Sequence, residues 1–473
     1  MVEVLTADQW AQRHFGEAEL GDKRRTRRAV KYAAAAAHSP GQSIPRQCDG
    51  VWGQTKGAYR LYDNPNVSFE KLQEPHRRLT ISAASERAVT LWVSDTTTLS
   101  FDHPETTGLG PTSTGGSGML LHSTMAIDVS GGVDGTPFVL GLGHQQLWAR
   151  PSGRVKNKAP ESAKWHNGIE AIGTPPAGVR WVHVGDCESD CWETIESCRA
   201  AGSGFAGRAC QNRLVIAGHD PIHGGAADSG EPTLLFELLQ KQPMLGGKRL
   251  FLRARKDRPA RWAKLAVSAT PVTLLAPKNW SDKPHRKARP RPGPIACWAV
   301  RVWEIDVPEG QEPIEWVILT DEPVTDLAGA LKVVFWYSCR WLIEEYHKCL
   351  KSGCQVESRQ LEEAGRLKSL LGILAVVAVR LLQIKHQAKV DPDAPATRVV
   401  PARYVRTLAA RLKRPHEKMT ARELWRETAR MGGFLGRKGD GDPGWLTLWR
   451  GWEELEVLTE GFELAEKMRG RYG

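Results

Sequence analysis

The sequence predicts an α/β protein with a core of alternating strands and helices, a β-rich insertion, and a helical region at each end. Three observations support this fold class. Apolar runs that end in acidic residues alternate with helical segments through the middle of the chain. Between about residues 204 and 307 the pattern changes to short strands separated by glycine and proline. The first ~70 residues and those after about 388 have helical patterns.

The 473 residues are enough for two to four domains of about 100–200 residues each. We predict three: an N-terminal helical domain over 1–70, a core over 71–370 that contains the insertion, and a C-terminal helical domain over 371–473. No run of about 18 uncharged apolar residues is present, so we expect no membrane span. The N-terminus lacks the basic and apolar segments of a secretory signal.

Nine scattered cysteines fit a reduced cytosol better than a disulfide framework. Cys187, Cys191 and Cys198 form the only sequence cluster, but their spacing lacks the paired pattern of a structural zinc site. The charge of +11 is unevenly distributed, since residues 206–300 contain 17 Lys and Arg against 6 Asp and Glu. An even spread would suit a solubilising surface, whereas this segmental excess favours a surface that follows nucleic-acid phosphates.

Two helices are predicted near the N-terminus, over Ala7–Phe15 and Asp22–Ala37. The second begins with six cations and no interleaved carboxylate, so pairing along the helix cannot relieve their repulsion. A solvated helix face is one interpretation, and contact with DNA phosphates is the one we favour. The six cations are Lys23, Arg24, Arg25, Arg27, Arg28 and Lys31.

Two acids follow apolar strands in the predicted core. The strand Val89–Ser94 ends at Asp95, and Arg180–Gly185 ends at Asp186. Ligands bind at strand ends in open α/β sheets, and carboxylates there can hold a hard cation such as Mg²⁺. Taken singly, each Asp is more often a turn or N-cap residue. Two further strands are predicted, over Pro137–Leu142 and Glu315–Thr320.

The segment FWYSCRWLIEEYHKCLKSG reads as one helix. Tyr337, Arg340, Glu344 and Lys351 would share an arc of about 60° on it. Such a face could hold a metal ion and bind phosphate oxygens beside it. The alternative is an Arg340–Glu344 salt bridge on a solvated face. The abundance of Tyr and Trp indicates that the helix is at least half buried, where charge without a purpose is costly.

These four residues spell Tyr-x2-Arg-x3-Glu-x6-Lys, and with them the chain resembles the bacterial DDE cut-and-paste transposases of the insertion-sequence-four family, especially those of Tn-five type. The resemblance covers nearly the whole chain. The other segments that carry it are LGDKRRTRR, KGAYRLYDNPNVS, SDTTTLSF, GLGHQQLWARP, GDCESD, WVILTDEPV, AVVAVRLLQ and WLTLWRGWEELEVLTEGF.

The resemblance implies an RNase H-like catalytic core with the β-rich insertion between the second Asp and the Glu. It implies an N-terminal DNA-binding domain and a C-terminal dimerisation domain. Asp95, Asp186 and Glu344 would be the catalytic, metal-binding residues, with two Mg²⁺ ions that Mn²⁺ can replace. The implied DNA contacts are Tyr337, Arg340, Lys351, Trp316, Arg28, Arg24, Arg25 and Arg208.

Trp316 would fill the gap left by a flipped base, although without the family we would interpret it as a core aromatic. His38-Ser39 and the segment SGCQVESRQLEE after Lys351 depart from the family pattern. Both positions concern contacts with the transposon end, so the departures indicate a different end sequence.

The implied activity is excision of a DNA element through a hairpin intermediate and joining of its 3′-hydroxyl ends to target DNA. The expected partners are double-stranded DNA and a second copy of the chain, in a bacterial, nucleoid-associated setting. No membrane or nucleotide cofactor is expected, since no P-loop pattern is present. A plain RNase H-like nuclease and a non-catalytic DNA-binding protein are the alternatives.

Three tryptophans near the C-terminus fall on one helical stripe. Trp445, Trp449 and Trp452 could form the dimer contact or belong to an intramolecular core, and the sequence leaves both open.

Overall fold

The computed structural model describes residues 5–101, 106–113, 115–153, 160–218, 230–252, 259–278, 280, 290–437 and 440–472. Within them, the strands join into one mixed sheet, and helices cover it. The strands are β1 (Val89–Ser100), β2 (Gly110–Pro111), β3 (Ser117–Asp128), β4 (Phe138–Trp148), β5 (Arg180–Gly185), β6 (Gly204–Arg208), β7 (Leu214–Ala217), β8 (Thr233–Leu234), β9 (Gly246–Leu252), β10 (Arg261–Leu274), β11 (Ile295–Ile305) and β12 (Glu315–Thr320).

The α-helices lie in three groups, before β1, between the strands, and after β12. They are α1 (Ala7–Phe15), α2 (Lys23–His38), α3 (Ile44–Gln47), α4 (Trp52–Tyr62), α5 (Phe69–Ser85), α6 (Ala163–Ile172), α7 (Trp192–Ala200), α8 (Leu235–Gln240), α9 (Leu327–Ser338), α10 (Trp341–Lys348), α11 (Ala364–Val390), α12 (Ala402–Arg411), α13 (Ala421–Met431) and α14 (Trp445–Tyr472). The mixed α/β architecture with helical ends is compatible with the predicted fold class.

The sheet has the strand order β2-β3-β1-β5-β6-β12-β11-β10-β7-β8, with β4 beside β3 and β9 beside β10. Strands β1 and β4 both pair antiparallel with β3, which lies between them. The short strands β5 and β6 follow β1 in parallel. Strands β7 to β11 extend this same sheet, because β12 joins β6 to β11. The β-rich segment therefore lengthens the sheet on one side. Much of its basic charge, at 253–258 and 281–289, lies outside the described residues.

Local signals explain where the helices begin. Thr6 caps α1 through a reciprocal capping box with Gln9, and Asp22 accepts the backbone N–H of Arg24 at the start of α2. Thr420 and Glu423 form a second capping box at α13. These polar contacts satisfy N–H groups that a helix leaves unpaired in its first turn.

Helix α11 is the central helix of the larger core. It is apolar on all sides, and residues from Leu370 to Leu382 are almost entirely buried beneath the sheet and the terminal helices. Its segment Ala364–His386 is long and apolar enough to cross a membrane by length and composition, with 78% of that window buried inside the protein. Lys368 and Arg380 lie within this segment, so it does not contain a run of about 18 uncharged apolar residues. Burial in the core explains its hydropathy.

The three tryptophans of α14 are buried within the chain. Trp445 stacks on Trp449, and Trp452 stacks on Trp425 of α13. Each of the three is at most 7% exposed. The intramolecular interpretation is therefore the one the structure supports, and these rings are not available for a dimer contact.

Two glycines of α14 provide a matched test of the packing between α13 and α14. A Cβ on Gly451 would lie 1.6 Å from the carbonyl oxygen of Thr428, whereas a Cβ on Gly461 would meet nothing within 4 Å. We expect Gly451→Ala to reduce stability by about 1–3 kcal/mol, because the helices must separate. Gly461→Ala should leave it unchanged or raise it by up to ~1 kcal/mol through helix propensity. Differential scanning calorimetry compares them, and equal melting of Gly451→Ala and the wild type would contradict the packing.

Candidate catalytic site

Asp95 lies inside β1, and the prediction that the strand ends before it was wrong. Strand β1 continues to Ser100 because β3 pairs with it along that length. Its parallel pairing with β5 nevertheless stops at Val93 and Val184. Asp95 therefore lies just past the end of the parallel pairing between β1 and β5. The sequence predicted an acid at a strand end of this kind, where ligands bind.

Asp186 directly follows β5, as predicted, and its carboxylate accepts the backbone N–H of Glu188 at 2.9 Å. Val93 and Val184 are register partners, so Asp95 and Asp186 occupy equivalent positions two residues further along neighbouring strands. Val93 and Val184 both belong to the larger core. Since side chains alternate between faces, both carboxylates project from the face that carries this core.

The segment FWYSCRWLIEEYHKCLKSG, which contains Arg340 and Glu344, is not one helix, contrary to the prediction. Helix α9 ends at Ser338, α10 begins at Trp341, and Lys351 lies in a π-helical turn over Cys349–Gly353. Tight i to i+3 hydrogen bonds, including Arg340 N to the Tyr337 carbonyl at 3.1 Å, interrupt the regular α-helical pattern at the break, while Cys339 and Arg340 keep right-handed helical dihedral angles. Arg340 and Glu344 nevertheless still meet as an i,i+4 pair, and Tyr337 lies close enough to act on Arg340, whereas Lys351 lies beyond α10 in the π-helical turn.

The break places Arg340 between two of the acids. Its guanidinium donates to Glu344 Oε1 at 2.5 Å and approaches Asp95 Oδ2 at 3.4 Å. All three side chains are largely buried, with exposed fractions of 14% for Arg340, 18% for Asp95 and 26% for Glu344. The Arg340–Glu344 salt bridge of the alternative interpretation thus exists, but on a largely buried face, and Arg340 also reaches Asp95 on the sheet.

The acids influence one another electrostatically. Burial and the neighbouring Asp186 raise the pKa of Asp95 to about 6, with a further contribution from Glu344. The N–H of Thr96 and the charge of Arg340 act in the opposite direction. Burial alone would lower the pKa of Arg340, but Glu344, Tyr337 and Asp95 raise it above its usual value. The site therefore concentrates negative charge that one guanidinium only partly offsets.

Asp95 with the two carboxylates that act on it, Asp186 and Glu344, is a donor set suited to a hard divalent cation. Among the described residues, no three His, Cys, Asp or Glu side chains stand close enough to hold a metal ion as they are. The guanidinium of Arg340 occupies the space between Asp95 and Glu344, and its displacement would free both carboxylates. The three carboxylates are chemically suited to a divalent cation. In this structure the guanidinium of Arg340 lies between Asp95 and Glu344 instead.

Three of the expected DNA contacts cluster beside this site. The rings of Trp316 and Tyr337 lie 5.8 Å apart between centroids. Arg208 donates to the carbonyl of Glu315 at 3.2 Å and also interacts with Tyr337. Tyr337 is 6% exposed, and burial raises the pKa of its phenol. Trp316 is half-buried, so it packs against the core and is also partly accessible to solvent.

Lys351 lies in the π-helical turn that follows α10, the helix of Glu344. Its ammonium contacts Glu357 Oε1 at 3.4 Å, and the same oxygen accepts the backbone N–H of Ser100 at 2.9 Å. This contact connects the segment after α10 to the end of β1. Glu357 was not identified from the sequence, because its contact with Ser100 joins segments that are 257 positions apart.

The three N-terminal arginines have different surroundings. Arg24 is exposed and pairs with Asp22, whereas Arg25 donates to the carbonyl of Leu20 at 2.8 Å. Arg28 is exposed and lies over Gly57 of α4. Arg24 and Arg28 present charge to solvent on α2, while Arg25 contributes to the fold. All three are far along the chain from the acidic site.

Two family models match the ends of the chain. Residues 7–67 match a model described as transposase DNA-binding, and residues 376–470 match one described as the transposase Tn5 dimerisation domain. The chain is thus similar to Tn5-type transposases in a segment that binds DNA and in a segment that dimerises. The residues between them, which contain the acids, lie outside both matches.

The raised pKa of Asp95 predicts a pH-dependent stability. Because folding raises this pKa from 3.8 to about 6, the stability from this group is fully present below pH 3.8 and is lost as the pH rises through 6. The loss amounts to at most about 3 kcal/mol. In EDTA, Asp95→Asn should remove this part of the pH dependence, so the melting temperatures of variant and wild type should diverge between pH 4 and 7.

The exposed acid Asp134 provides the control, since Asp134→Asn should follow the wild type across that range. If the melting temperatures of Asp95→Asn and the wild type change in parallel with pH, folding does not raise the pKa of Asp95.

Proposed function

We propose that this chain is a DDE-type DNA transposase that uses Asp95, Asp186 and Glu344 to cut and join DNA. The observation that carries the proposal is the convergence of these three acids with Arg340 on one face of the sheet. The two matched segments provide the context, since a transposase must bind DNA and bring two ends together.

Strand topology supports an RNase H-like core. The strands β4, β3, β1, β5 and β6 lie side by side in that order. The first three are antiparallel, and the last two are parallel to β1. An acid on the central strand, an acid after its parallel neighbour and an acid on a helix above them is the arrangement that the resemblance implies.

The proposed cofactor is a pair of Mg²⁺ ions, for which Mn²⁺ can substitute, held by the three carboxylates. When bound, such ions activate water and stabilise charge on a phosphodiester during in-line attack. Asp95 and Asp186 would provide oxygens from the rigid sheet, and Glu344 from α10. Arg340 would be released from Asp95 and become free to bind a DNA phosphate, since a guanidinium binds phosphate oxygens bidentately.

The proposed reaction has four steps at each end. Water hydrolyses one phosphodiester, which leaves a 3′-hydroxyl and a 5′-phosphate. The 3′-hydroxyl then attacks the opposite strand, so a hairpin phosphodiester replaces the bond to flanking DNA. A second water opens the hairpin and restores the 3′-hydroxyl, which finally attacks target DNA. Each transesterification makes one bond as it breaks one, so no nucleotide cofactor is required.

The cluster of Trp316, Tyr337 and Arg208 supports the hairpin step. A hairpin bends one strand sharply, and an unstacked base loses a few kcal/mol that an aromatic side chain can restore. Trp316 is partly accessible to solvent beside the site, and Arg208 and Arg340 place positive charge close to it. Exposed Arg24 and Arg28 would hold the end DNA, and Lys351 a phosphate near the acids.

The dimer contact that we propose lies on the second half of α14. Val457, Leu464 and Met468 are 69%, 60% and 53% exposed. At about 100° per residue they share one stripe of the helix with Gly461. An exposed apolar stripe on a long helix is typical of helix pairing, and it belongs to the segment that matches the dimerisation model.

Two alternative functions, a plain nuclease and a DNA-binding module, would give different products from a transposase. A plain nuclease would cut end DNA without making a hairpin or a joined product. A binding module would protect end DNA without cutting it. The proposed setting is the bacterial cytoplasm, in association with the nucleoid.

The decisive assay uses the full chain, labelled DNA from the ends of the element, Mg²⁺ and a plasmid target. We expect nicked, hairpin and joined products in sequence on a denaturing gel. Cleavage without hairpin or joined DNA would contradict the transposase proposal and favour the nuclease. Binding without cleavage would favour the binding module.

Glu344→Ala tests the assigned acid against its neighbour. We expect cleavage to fall by at least about 100-fold, because one oxygen ligand is lost, while end binding stays within about twofold. Glu345→Ala is the control: Glu345 pairs with Lys348 and Lys385, away from Asp95. Retained cleavage in Glu344→Ala, or equal loss in both variants, would contradict the assignment.

Leu464→Asp tests the dimer surface. A carboxylate on the shared stripe should weaken the complex of two chains and two DNA ends by at least about tenfold, which corresponds to ~1.4 kcal/mol. Leu435→Asp changes an equally exposed leucine outside α14 and should have no effect. Light scattering coupled to size-exclusion chromatography gives the stoichiometry. An intact paired complex with Leu464→Asp would exclude this surface.

A further inference from the structure

The carboxylate of Asp95 is held through its neighbour Thr96. The backbone N–H of Thr96 donates to Asp95 Oδ1 at 2.7 Å. The hydroxyl of Thr96 forms a hydrogen bond of 3.0 Å with Nδ1 of His122, its cross-strand partner on β3. His122 is fully buried. Because consecutive strand residues face opposite sides, this support lies on the other face of the sheet from the Asp95 carboxylate.

The carboxylate of Asp186 is held in a parallel way through Glu188. The backbone N–H of Glu188 donates to Asp186 Oδ1 at 2.9 Å. The side chain of Glu188 accepts a hydrogen bond of 2.7 Å from the ammonium of Lys164, on α6. Lys164 is 7% exposed, whereas Glu188 is 64% exposed.

The two supports meet at the start of α6. The ring of His122 packs edge-on against Trp165 at 4.8 Å between centroids, and Trp165 directly follows Lys164. The charge of Lys164 also contributes to lowering the pKa of His122. One turn of helix therefore contacts both chains of hydrogen bonds, one leading to each acid.

Stability alone does not explain a lysine at this position. Burying an ammonium costs several kcal/mol, and a partner largely in water together with the Trp165 ring, whose centroid lies 5.9 Å from the ammonium, returns only part of it. A methionine would fill the same space with apolar contacts at lower cost. What the lysine does provide is a fixed position for Glu188, and through its N–H a fixed orientation for the Asp186 carboxylate.

We propose that His122 and Lys164 are positioning residues that set the orientations of Asp95 and Asp186 for a divalent cation from the opposite face of the sheet. This inference rests on the proposed function, since it assumes that the two acids bind a cation. Residues that orient metal ligands typically contribute 10–100-fold to metal affinity. Neither residue touches DNA or the reacting atoms in this scheme.

The test measures binding of Mn²⁺ to the full chain without DNA, by electron paramagnetic resonance titration. We expect Lys164→Met to weaken Mn²⁺ binding by about 10–100-fold, and Lys164→Arg to restore part of it. Glu188→Gln changes the exposed partner and should weaken binding in the same direction, without removing a buried side chain. Unchanged Mn²⁺ affinity in both Lys164→Met and Glu188→Gln would overturn the proposal.

Lys332→Met is the control for loss of a paired lysine elsewhere, because Lys332 on α9 pairs with Glu322 and is 38% exposed. It should leave Mn²⁺ affinity unchanged, and an equal loss there would also overturn the proposal. End-DNA binding should stay constant in all variants, which separates ligand orientation from general damage.

The outcomes also separate this inference from the proposed function. If the wild type binds Mn²⁺ and Lys164→Met does not, but no variant or wild type cuts DNA, the positioning role stands and the transposase proposal fails. If the wild type cuts DNA, and both Lys164→Met and Glu188→Gln bind Mn²⁺ like the wild type, the transposase proposal stands and the positioning role fails.

Discussion

The contact of Arg340 with Asp95 and Glu344 is the interaction on which the arrangement of this site depends. It joins the central strand β1 to helix α10 across 245 positions of sequence. Without a positive charge there, two buried carboxylates would face each other beside Asp186, and their repulsion would favour protonation or separation. The guanidinium therefore stabilises the protein in a state where the acids are ionised but held by a side chain. A divalent cation would compete for the same oxygens.

The rest of the fold holds Asp95 and Asp186 more rigidly than it holds Glu344. Asp95 lies on β1 and Asp186 directly follows β5, each two residues beyond the last register pair of these strands, and both accept backbone hydrogen bonds. Glu344 belongs to a short helix between a break and a π-helical turn, so its position depends on the packing of α10 against α11 and the sheet. The terminal helical regions pack against this core, and parts of them match DNA-binding and dimerisation models.

Much of this was predictable where the signal is local. The capped helix α1 and the strands that precede Asp186 and contain Trp316 were identified from short-range patterns. The break before Arg340 was not, because FWYSCRWLIEE contains no glycine or proline and the turn depends on packing. The link from Arg340 to Asp95, and the roles of Lys164 and Glu357, depend on contacts between distant segments. The stripe of Trp445, Trp449 and Trp452 could serve a core or an interface equally well, and only the tertiary structure distinguishes the two.

The most direct test of the central claim is an anomalous-scattering map from crystals of the chain with end DNA and Mn²⁺. The claim predicts a manganese peak bonded by oxygens of Asp95, Asp186 and Glu344, with the guanidinium of Arg340 displaced from Asp95 toward a DNA phosphate. A map in which manganese binds elsewhere, or in which Arg340 still bridges Asp95 and Glu344 while DNA is cut, would contradict it.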